Sequence, residues 1–328
     1  MGLSMVGLFR RAALGGLLSA AAAPRVLAAT WPERPVTWIV PFSRDTSADL
    51  YARPLAELVS KRLGQPMTID NRTGGGGTMA ATLFGRAEAN GYTLMVGYTG
   101  LTYAPIIYPK SGAGFDFGRD FVPISAFARE PLVLAINPTR LEVTDLQQFI
   151  AAAKAKPKSI EVGYDAPGTI SHLALELLEE RAGLQFTQVP FRGGAQALDP
   201  LLARRVDAAF LPPHIAAANA GKIRALAVAG RRRDPVLPEV PTFGEAGLAD
   251  FRVSQWFGLF APRGTPGPVL DIMHGAVQAA LAEPQIEAQW DKRGARVELE
   301  SRAEFARFVD QEITRWGAIA RAAKLTLE

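Results

Sequence analysis

Val36-Thr37-Trp38-Ile39-Val40-Pro41-Phe42 runs into Ser43-Arg44-Asp45-Thr46-Ser47-Ala48-Asp49 and then Leu50-Tyr51-Ala52-Arg53. The first segment is short, apolar and rich in β-branched and aromatic side chains, and it predicts a buried strand. The middle segment is small and polar and predicts a turn. Ser47 or Asp49 is placed to cap a following helix, with Leu50, Leu55, Leu58, Val59 and Leu63 as its apolar stripe. Pro54 lacks a donor and predicts a distorted first turn. A strand that enters a helix through a short polar loop leaves backbone N–H groups unpaired at the helix start. Together with the helix dipole they favour an anion, by about 0.3–1 kcal/mol for the dipole alone. The same stretch fits equally an ordinary strand-to-helix turn that holds no ligand.

Working outward, residues 67–70 form a second short strand, Asn71-Arg72-Thr73 leads into four glycines at 74–77, and a helix follows at 79–89. A third strand at 92–98 ends at Thr99-Gly100. This β-α-β-α-β order is the mark of a parallel sheet with helices on its faces. Strands at 121–127 and 132–137, a helix at 146–155, strands at 161–163, 186–190, 206–211 and 223–229, and helices at 171–182 and 197–204 make a second series. An apolar strand at 254–261 and helices at 268–282, 284–292 and 302–323 close the chain. The expected fold is α/β with two lobes, each a mostly parallel sheet flanked by helices. Residues 30–124 plus 254–328 form lobe I and 125–253 form lobe II, with strands crossing near Ile124 and Val253.

Residues 1–29 carry Arg10, Arg11 and Arg25 and no acid, then an apolar run at 12–23 too short to span a bilayer, then Val26-Leu27-Ala28. That is the layout of a secretory signal peptide, cut after Ala28 or Ala29. It implies export by the general or the twin-arginine route, to the periplasm where there is an outer membrane. Without this segment 33 basic side chains face 32 acidic ones, so the charge balance calls for neither nucleic acid nor an anionic membrane. The absence of cysteine excludes disulfides and thiolate chemistry.

The glycines at 74–77 lack the Lys and Ser/Thr of a phosphate loop and the spacing of a dinucleotide fingerprint. They predict a turn that admits close backbone approach. His172, His214 and His274 are too scattered for a metal site or a triad, and His172 is expected to bond to its own loop. Ser43, Ser47 and Ser171 lack a nucleophile-elbow context. Arg231-Arg232-Arg233 predicts a solvated turn. What recurs is a small polar turn at the end of a strand: 43–49, 98–102, 165–171 and 192–195. In open sheets such turns share one edge, so two facing lobes would aim four sets of N–H groups at one cleft. That plan grips a small acid without nucleophile, base, metal or cofactor.

At this point the chain resembles the Bug-type solute receptors of tripartite tricarboxylate transporters. The resemblance rests on Trp31-Pro32-Glu33-Arg34-Pro35, Ile39-Val40-Pro41-Phe42, Asp49 with Ala52-Arg53, Leu63-Gly64-Gln65-Pro66 and Asn71-Arg72 with its glycines. It continues through Gly91-Tyr92-Thr93-Leu94, Gly168-Thr169 with His172-Leu173, Val189-Pro190-Phe191-Arg192-Gly193, Gly221-Lys222-Ile223-Arg224, Leu237-Pro238-Glu239-Val240-Pro241-Thr242 and Trp256-Phe257-Gly258. It implies an exported, monomeric two-lobed receptor of type II periplasmic-binding-protein fold. Such a receptor closes on a small carboxylated solute and presents it to membrane permease subunits, with no cofactor and no catalysis. The residues expected at the ligand are Phe42, Arg44, Asp45, Thr46, Ser47 and Asp49 on the first turn, and Tyr98, Thr99 and Gly100 on the second. Asp165, Ala166, Gly168, Thr169 and His172 stand on the third, and Arg192 and Gly193 on the fourth.

The chain departs from that family's usual turns at Ser43-Arg44-Asp45-Thr46, at Tyr164-Asp165-Ala166-Pro167 and at Leu211-Pro212-Pro213. An unpaired Asp45 about 5 Å from a ligand carboxylate would oppose it by roughly 3 kcal/mol at an effective dielectric near 20. Arg44 pairing with Asp45 resolves this, and so does a ligand with an amine, which Asp45 or Asp165 would hold. The second resolution makes the expected ligand an amino-acid-like or nitrogenous acid. Two other functions are weighed beside it, the first not separable by binding physics and the second disfavoured. One is a loaded co-receptor signalling to a membrane sensor, which needs the same closing cleft. The other is an exported α/β enzyme, for which a catalytic constellation is missing.

Overall fold

In a computed structural model the chain is described over residues 31–44, 46–110, 114–165, 167–191 and 197–327. The expected signal peptide lies outside these residues, as do Asp45, Ala166, Arg192 and Gly193. From Pro32 onward the chain forms one compact unit built on two five-stranded sheets.

The chain begins β1 (Val36–Val40), α1 (Ser47–Leu63), β2 (Met67–Asn71), α2 (Thr78–Phe84), β3 (Thr93–Tyr98). Short helices α3 (Ala104–Ile107) and α4 (Phe117–Asp120) lead to the long β4 (Phe121–Pro131). The second series is β5 (Val133–Ile136), α5 (Leu146–Ala155), β6 (Glu161–Tyr164), α6 (Ile170–Ala182), β7 (Thr187–Pro190), α7 (Leu198–Leu202), β8 (Ala208–Leu211), α8 (Pro213–Ala218) and β9 (Arg224–Val228). Then come β10 (Ser254–Pro262), α9 (Gly267–Leu281), α10 (Pro284–Asp291) and α11 (Arg302–Ala322). The first sheet has strand order β2-β1-β3-β10-β4 and the second β7-β6-β8-β5-β9.

Both sheets are mixed. In the first, β1 pairs parallel with β2 and β3, while β10 pairs antiparallel with β3 and β4. In the second, β6 pairs parallel with β7 and β8, while β5 pairs antiparallel with β8 and β9. The helical crossovers predicted from sequence give the parallel pairs, and the strands that pass between the sheets give the antiparallel ones. Strand β4 stays in the first sheet to Pro131, beyond the Ile124 expected from sequence, and Leu132 alone separates it from β5. The return passage ends at Val253, next to β10. The two passages are laced together: Leu132 N donates to Val253 O at 3.1 Å, Ala229 N to Leu132 O at 2.7 Å and Val253 N to Ala229 O at 2.9 Å.

Helix α1 begins at Ser47 and continues unbroken through Pro54, so the expected distortion of its first turn is not found. Its Gly64 C-cap adopts φ 68°, the left-handed value a helix stop favours. One core packs Phe84, Phe121, Trp256, Phe260 and Phe305. A second packs Phe149, Leu173, Leu177, Phe210 and Phe243, and takes in Tyr103, Ile107, Trp316 and Ile319 from the elements around α3 and α11. Helix α11 therefore belongs to both cores, Phe305 to one and Trp316 to the other. Each such fully buried side chain contributes roughly 1.5–3 kcal/mol.

Candidate functional site

The turn after β1, the glycine run and the turn after β3 meet. The Phe42 ring stands edge-on to the Tyr98 ring with centroids 4.7 Å apart. The Tyr98 hydroxyl donates to the Gly76 carbonyl, and burial raises its pKa above the ordinary phenol range. Gly77 has φ 88°, and a Cβ there would lie 3.0 Å from Pro41 Cβ and 3.3 Å from the Tyr98 ring. The glycine run thus admits backbone where a side chain would collide, as the sequence predicts.

Tyr108, just past α3, lies 3.5 Å from where a Gly76 Cβ would sit. Ile107 is its neighbour, and a Cβ on Gly168, at the start of α6, would press against Ile107 Cδ1 at 2.5 Å. Gly168 has φ 79°, so both conformation and space demand glycine there. The turns from the two sheets are thereby linked along one line: Phe42, Tyr98, Gly76, Tyr108, Ile107 and Gly168.

Helices α1 and α6 start in the same unusual way. Their N-caps, Thr46 (φ −77°, ψ 162°) and Thr169 (φ −77°, ψ 165°), have cap geometry but neither side chain caps a backbone N–H. The Thr46 hydroxyl donates to Ser43 O at 2.9 Å, and the Thr169 hydroxyl is 3.0 Å from Ser171 Oγ. A threonine at this place ordinarily accepts from the second or third residue of its helix. Here the first-turn N–H groups of both helices lack that partner, and both helix starts are suited to an anion.

Two of the acids expected at the ligand, Asp49 and Asp165, make hydrogen bonds within the scaffold. Asp49 is 1 % exposed, and its carboxylate takes Arg53 Nη2 at 2.6 Å and Asn71 Nδ2 at 2.9 Å. Asn71 also donates to Phe42 O at 3.0 Å, so Asp49 and Asn71 together fix the first turn. Asp165 accepts the Ser171 hydroxyl at 3.1 Å and Ala197 N–H at 3.1 Å, tying the third turn to the start of α7. Burial raises its pKa. The sequence reading missed Asn71 as a positioning residue; its signal was the Asn71-Arg72 pair closing β2 beside the glycines.

Thr99 is also structural. It is fully buried, its hydroxyl accepts Trp256 N–H at 2.9 Å and donates to Ser254 O at 3.3 Å, and it pins the second turn to β10. Gly100 lies against the Tyr98 ring. His172 stacks on Tyr164 at 4.2 Å, and its Nδ1 accepts Gly168 N–H at 3.0 Å. Its Nε2 faces Glu176 at 3.5 Å, which holds that carboxyl below its usual range. His172 is bonded to its own loop, as expected. Arg44 is exposed and lines a hollow of about 160 Å³ with Arg53, Glu57 and Arg293. Ser47 is the first residue of α1. The three histidines form no cluster able to hold a metal among the described residues.

A pH-dependent prediction follows from Asp165. Asp165→Ala strands the buried Ala197 N–H and costs about 2 kcal/mol at pH 7. Asp165→Asn keeps an acceptor and stays within about 1 kcal/mol of the parent. A carboxyl raised in the folded state contributes stability that is complete below its unfolded pKa and is lost as pH rises through the folded one. Asp165→Asn therefore gains on the parent with rising pH. Urea unfolding near pH 5 and near pH 7 checks the sign; a constant difference refutes it.

Over residues 51–325 the chain matches the family described as tripartite tricarboxylate transporter family receptor. It is 31% identical over 321 residues to Protein BugT of Bordetella pertussis, covering 97% of this chain and 96% of that protein. It resembles the solved structure of Rhodopseudomonas palustris Rpa4515 with adipate, at 33% identity and TM-score 0.77, over 90% of this chain and 100% of that one. It also resembles MatC of the same organism with bound malate, at 34% identity and TM-score 0.72, over 88% of this chain and 99% of that one. The fold, the Bug-type resemblance and the expectation of a receptor in place of an enzyme all agree with these matches. The chain belongs to the tripartite tricarboxylate transporter receptor family.

Proposed function

We propose that this chain is an extracytoplasmic receptor that holds a small carboxylate between the starts of α1 and α6 and delivers it to transporter permease subunits. The observation that carries the reading is the pair of helix N-termini whose threonine N-cap side chains cap no backbone N–H of their own helices. A carboxylate accepting from both would bridge the two sheets, and the laced passages at Leu132 and Val253 would serve as the hinge. Each sheet with its helices then acts as one lobe, divided as the sequence suggests but with the first passage at Leu132.

The related structures with adipate and malate hold plain dicarboxylates. A nitrogenous ligand needs an aspartate aimed at an amine. Asp165 is committed to Ser171 and Ala197, so that role falls to Asp45 alone. We therefore rank a dicarboxylate first and an amino-acid-like acid second. The periplasm is the proposed location and a monomer the proposed state; no helix among the described residues is long and apolar enough to cross a membrane.

Calorimetry of the purified mature chain against adipate, malate, citrate and glutamate tests the reading. Saturable one-to-one heat with a dicarboxylate supports it, and a preference for glutamate restores the amine. Silence with every carboxylate overturns it. Loss of uptake of the bound acid on gene deletion tests the permease partnership.

A further inference from the structure

A second hollow, of about 750 Å³, opens where the chain passes between the sheets. Its walls include Pro131 at the end of β4, Ser254 at the start of β10, Ala229-Gly230 beyond β9 and one face of α11. None of the turn residues linked above lines it.

Its chemistry is strongly one-sided. Six arginines line it, Arg129, Arg231, Arg232, Arg252, Arg296 and Arg315, against two carboxylates, Glu298 and Glu312. Glu312 is engaged by two tryptophans, its Oε2 accepting Trp256 Nε1 at 3.0 Å and Trp316 Nε1 at 2.7 Å. Glu298 stands 3.8 Å from Arg129, which also grips Glu300 outside the hollow at 3.1 Å. Arg296 and Arg315 donate to the carbonyls of Arg233 and Arg252; Arg315 also stands 3.8 Å from Glu312, and Arg252 3.7 Å from Asp250, so the six arginines still outnumber the carboxylates that meet them. Arg231 and Arg232 are exposed and make no ion pair among the described residues. Arg129 Nε is buried with no hydrogen-bond partner among the described residues. Burial lowers the Arg315 pKa; Glu312 opposes the shift, and Arg181 and Arg252 add to it.

Guanidinium groups crowded round a hollow repel one another, and each offers a planar fork that fits carboxylate or phosphate oxygens two at a time. We infer that this hollow is a second binding site, distinct from the carboxylate site between the helix starts, for a small molecule bearing several anionic groups, phosphate or carboxylate. Arg231 and Arg232, which the sequence assigns to a solvated turn, supply the arms that close on it. Arg129, Arg296 and Arg315 form its floor.

Glu312 joins the hollow to Trp256 and Trp316, so occupancy alters intrinsic tryptophan fluorescence. The mature chain is titrated with pyrophosphate and, separately, with citrate at low salt. The expected result is a saturable one-to-one response to pyrophosphate that weakens as sodium chloride rises. It weakens about tenfold for each guanidinium removed, in Arg231→Gln/Arg232→Gln and, independently, in Arg252→Gln. Arg204→Gln, outside the hollow, leaves it unchanged. A matching loss for citrate extends the site to polycarboxylates; a loss for pyrophosphate alone confines it to phosphates. Adipate or malate in excess leaves pyrophosphate binding intact, which separates this site from the proposed carboxylate site. No saturable response, equal affinity in both arginine variants, or displacement by a dicarboxylate overturns the inference.

Discussion

Ser47→Pro weakens carboxylate binding about ten- to a hundredfold and leaves the stability of the protein within about 1 kcal/mol of the parent. The two halves of that expectation have separate grounds. Ser47 is the first residue of α1, a position where proline is well tolerated because its N–H has no intrahelical partner. Proline also restricts the residue before it to extended or polyproline geometry. Thr46 already has φ −77° and ψ 162°, so the substitution demands no backbone change. What it removes is one donor at the helix start. A hydrogen bond to a charged group is worth about 1.5–3 kcal/mol, which sets the size of the loss. Ser47→Ala keeps the N–H and binds as the parent does.

Ile170→Pro is the same experiment on α6, where Thr169 has φ −77° and ψ 165°. Ile170 packs against the second core, so this variant also loses about 1 kcal/mol of stability. If both helix starts hold one ligand, the double variant loses about a hundredfold or more. Calorimetry with the preferred dicarboxylate, paired with urea unfolding, reads both quantities. Unchanged affinity in both proline variants removes the helix starts from the site. A loss equal in Ser47→Pro and Ser47→Ala transfers the role from the backbone to the hydroxyl.

The strand-to-helix order was legible because buried parallel strands and amphipathic helices each carry their own periodicity. Helix α11 was located almost to the residue by its regular apolar stripe, and the structure adds a capping box of Ser301 and Glu304 at its start. The antiparallel half of each sheet was not legible. Nothing in the composition of β4 or β10 says that a strand changes sheets at Leu132, because a buried strand looks alike whichever way its neighbour runs. The polar residues of the turns carry bonds that the sequence did not show. Thr99, Asp49 and Asp165 have the chemistry to meet a ligand, and each also bonds within the protein to hold its turn. Sequence shows which side chains can bond, and only packing shows that a nearer backbone or arginine has claimed them. Pro54 misled for a different reason: helix α1 starts at Ser47, so the proline falls in the helix interior, beside the buried Ala52 and Leu55, and not in the first turn.

Glu312→Ala lowers stability by about 4 kcal/mol, more than any other single polar substitution argued above. It is not legible in the sequence, because a glutamate on a helix stripe between Phe308 and Trp316 looks like a solvent-facing break. It is instead buried, 6 % exposed, and one oxygen accepts both indole N–H groups, from Trp256 on β10 and Trp316 on α11. Both rings are fully buried, so no water replaces the lost acceptor. Each stranded donor costs about 1–3 kcal/mol, and the void left by the side chain adds to that. Arg315, 3.8 Å away and itself desolvated, loses its nearest counter-charge at the same time. Glu312→Gln separates these contributions. The amide oxygen can still accept both indoles while the buried charge is gone, so the cost falls to about 1 kcal/mol. Burial raises the Glu312 pKa, so the parent gains stability as pH falls toward the folded value while the glutamine variant does not. The difference between them therefore moves in the parent's favour on acidification. Urea unfolding of the three proteins at pH 7 and near pH 5.5 measures it. A loss under about 1 kcal/mol in Glu312→Ala would mean that the two indoles find other partners, and the staple between the crossing strand and the helix common to both cores would then have to lie elsewhere.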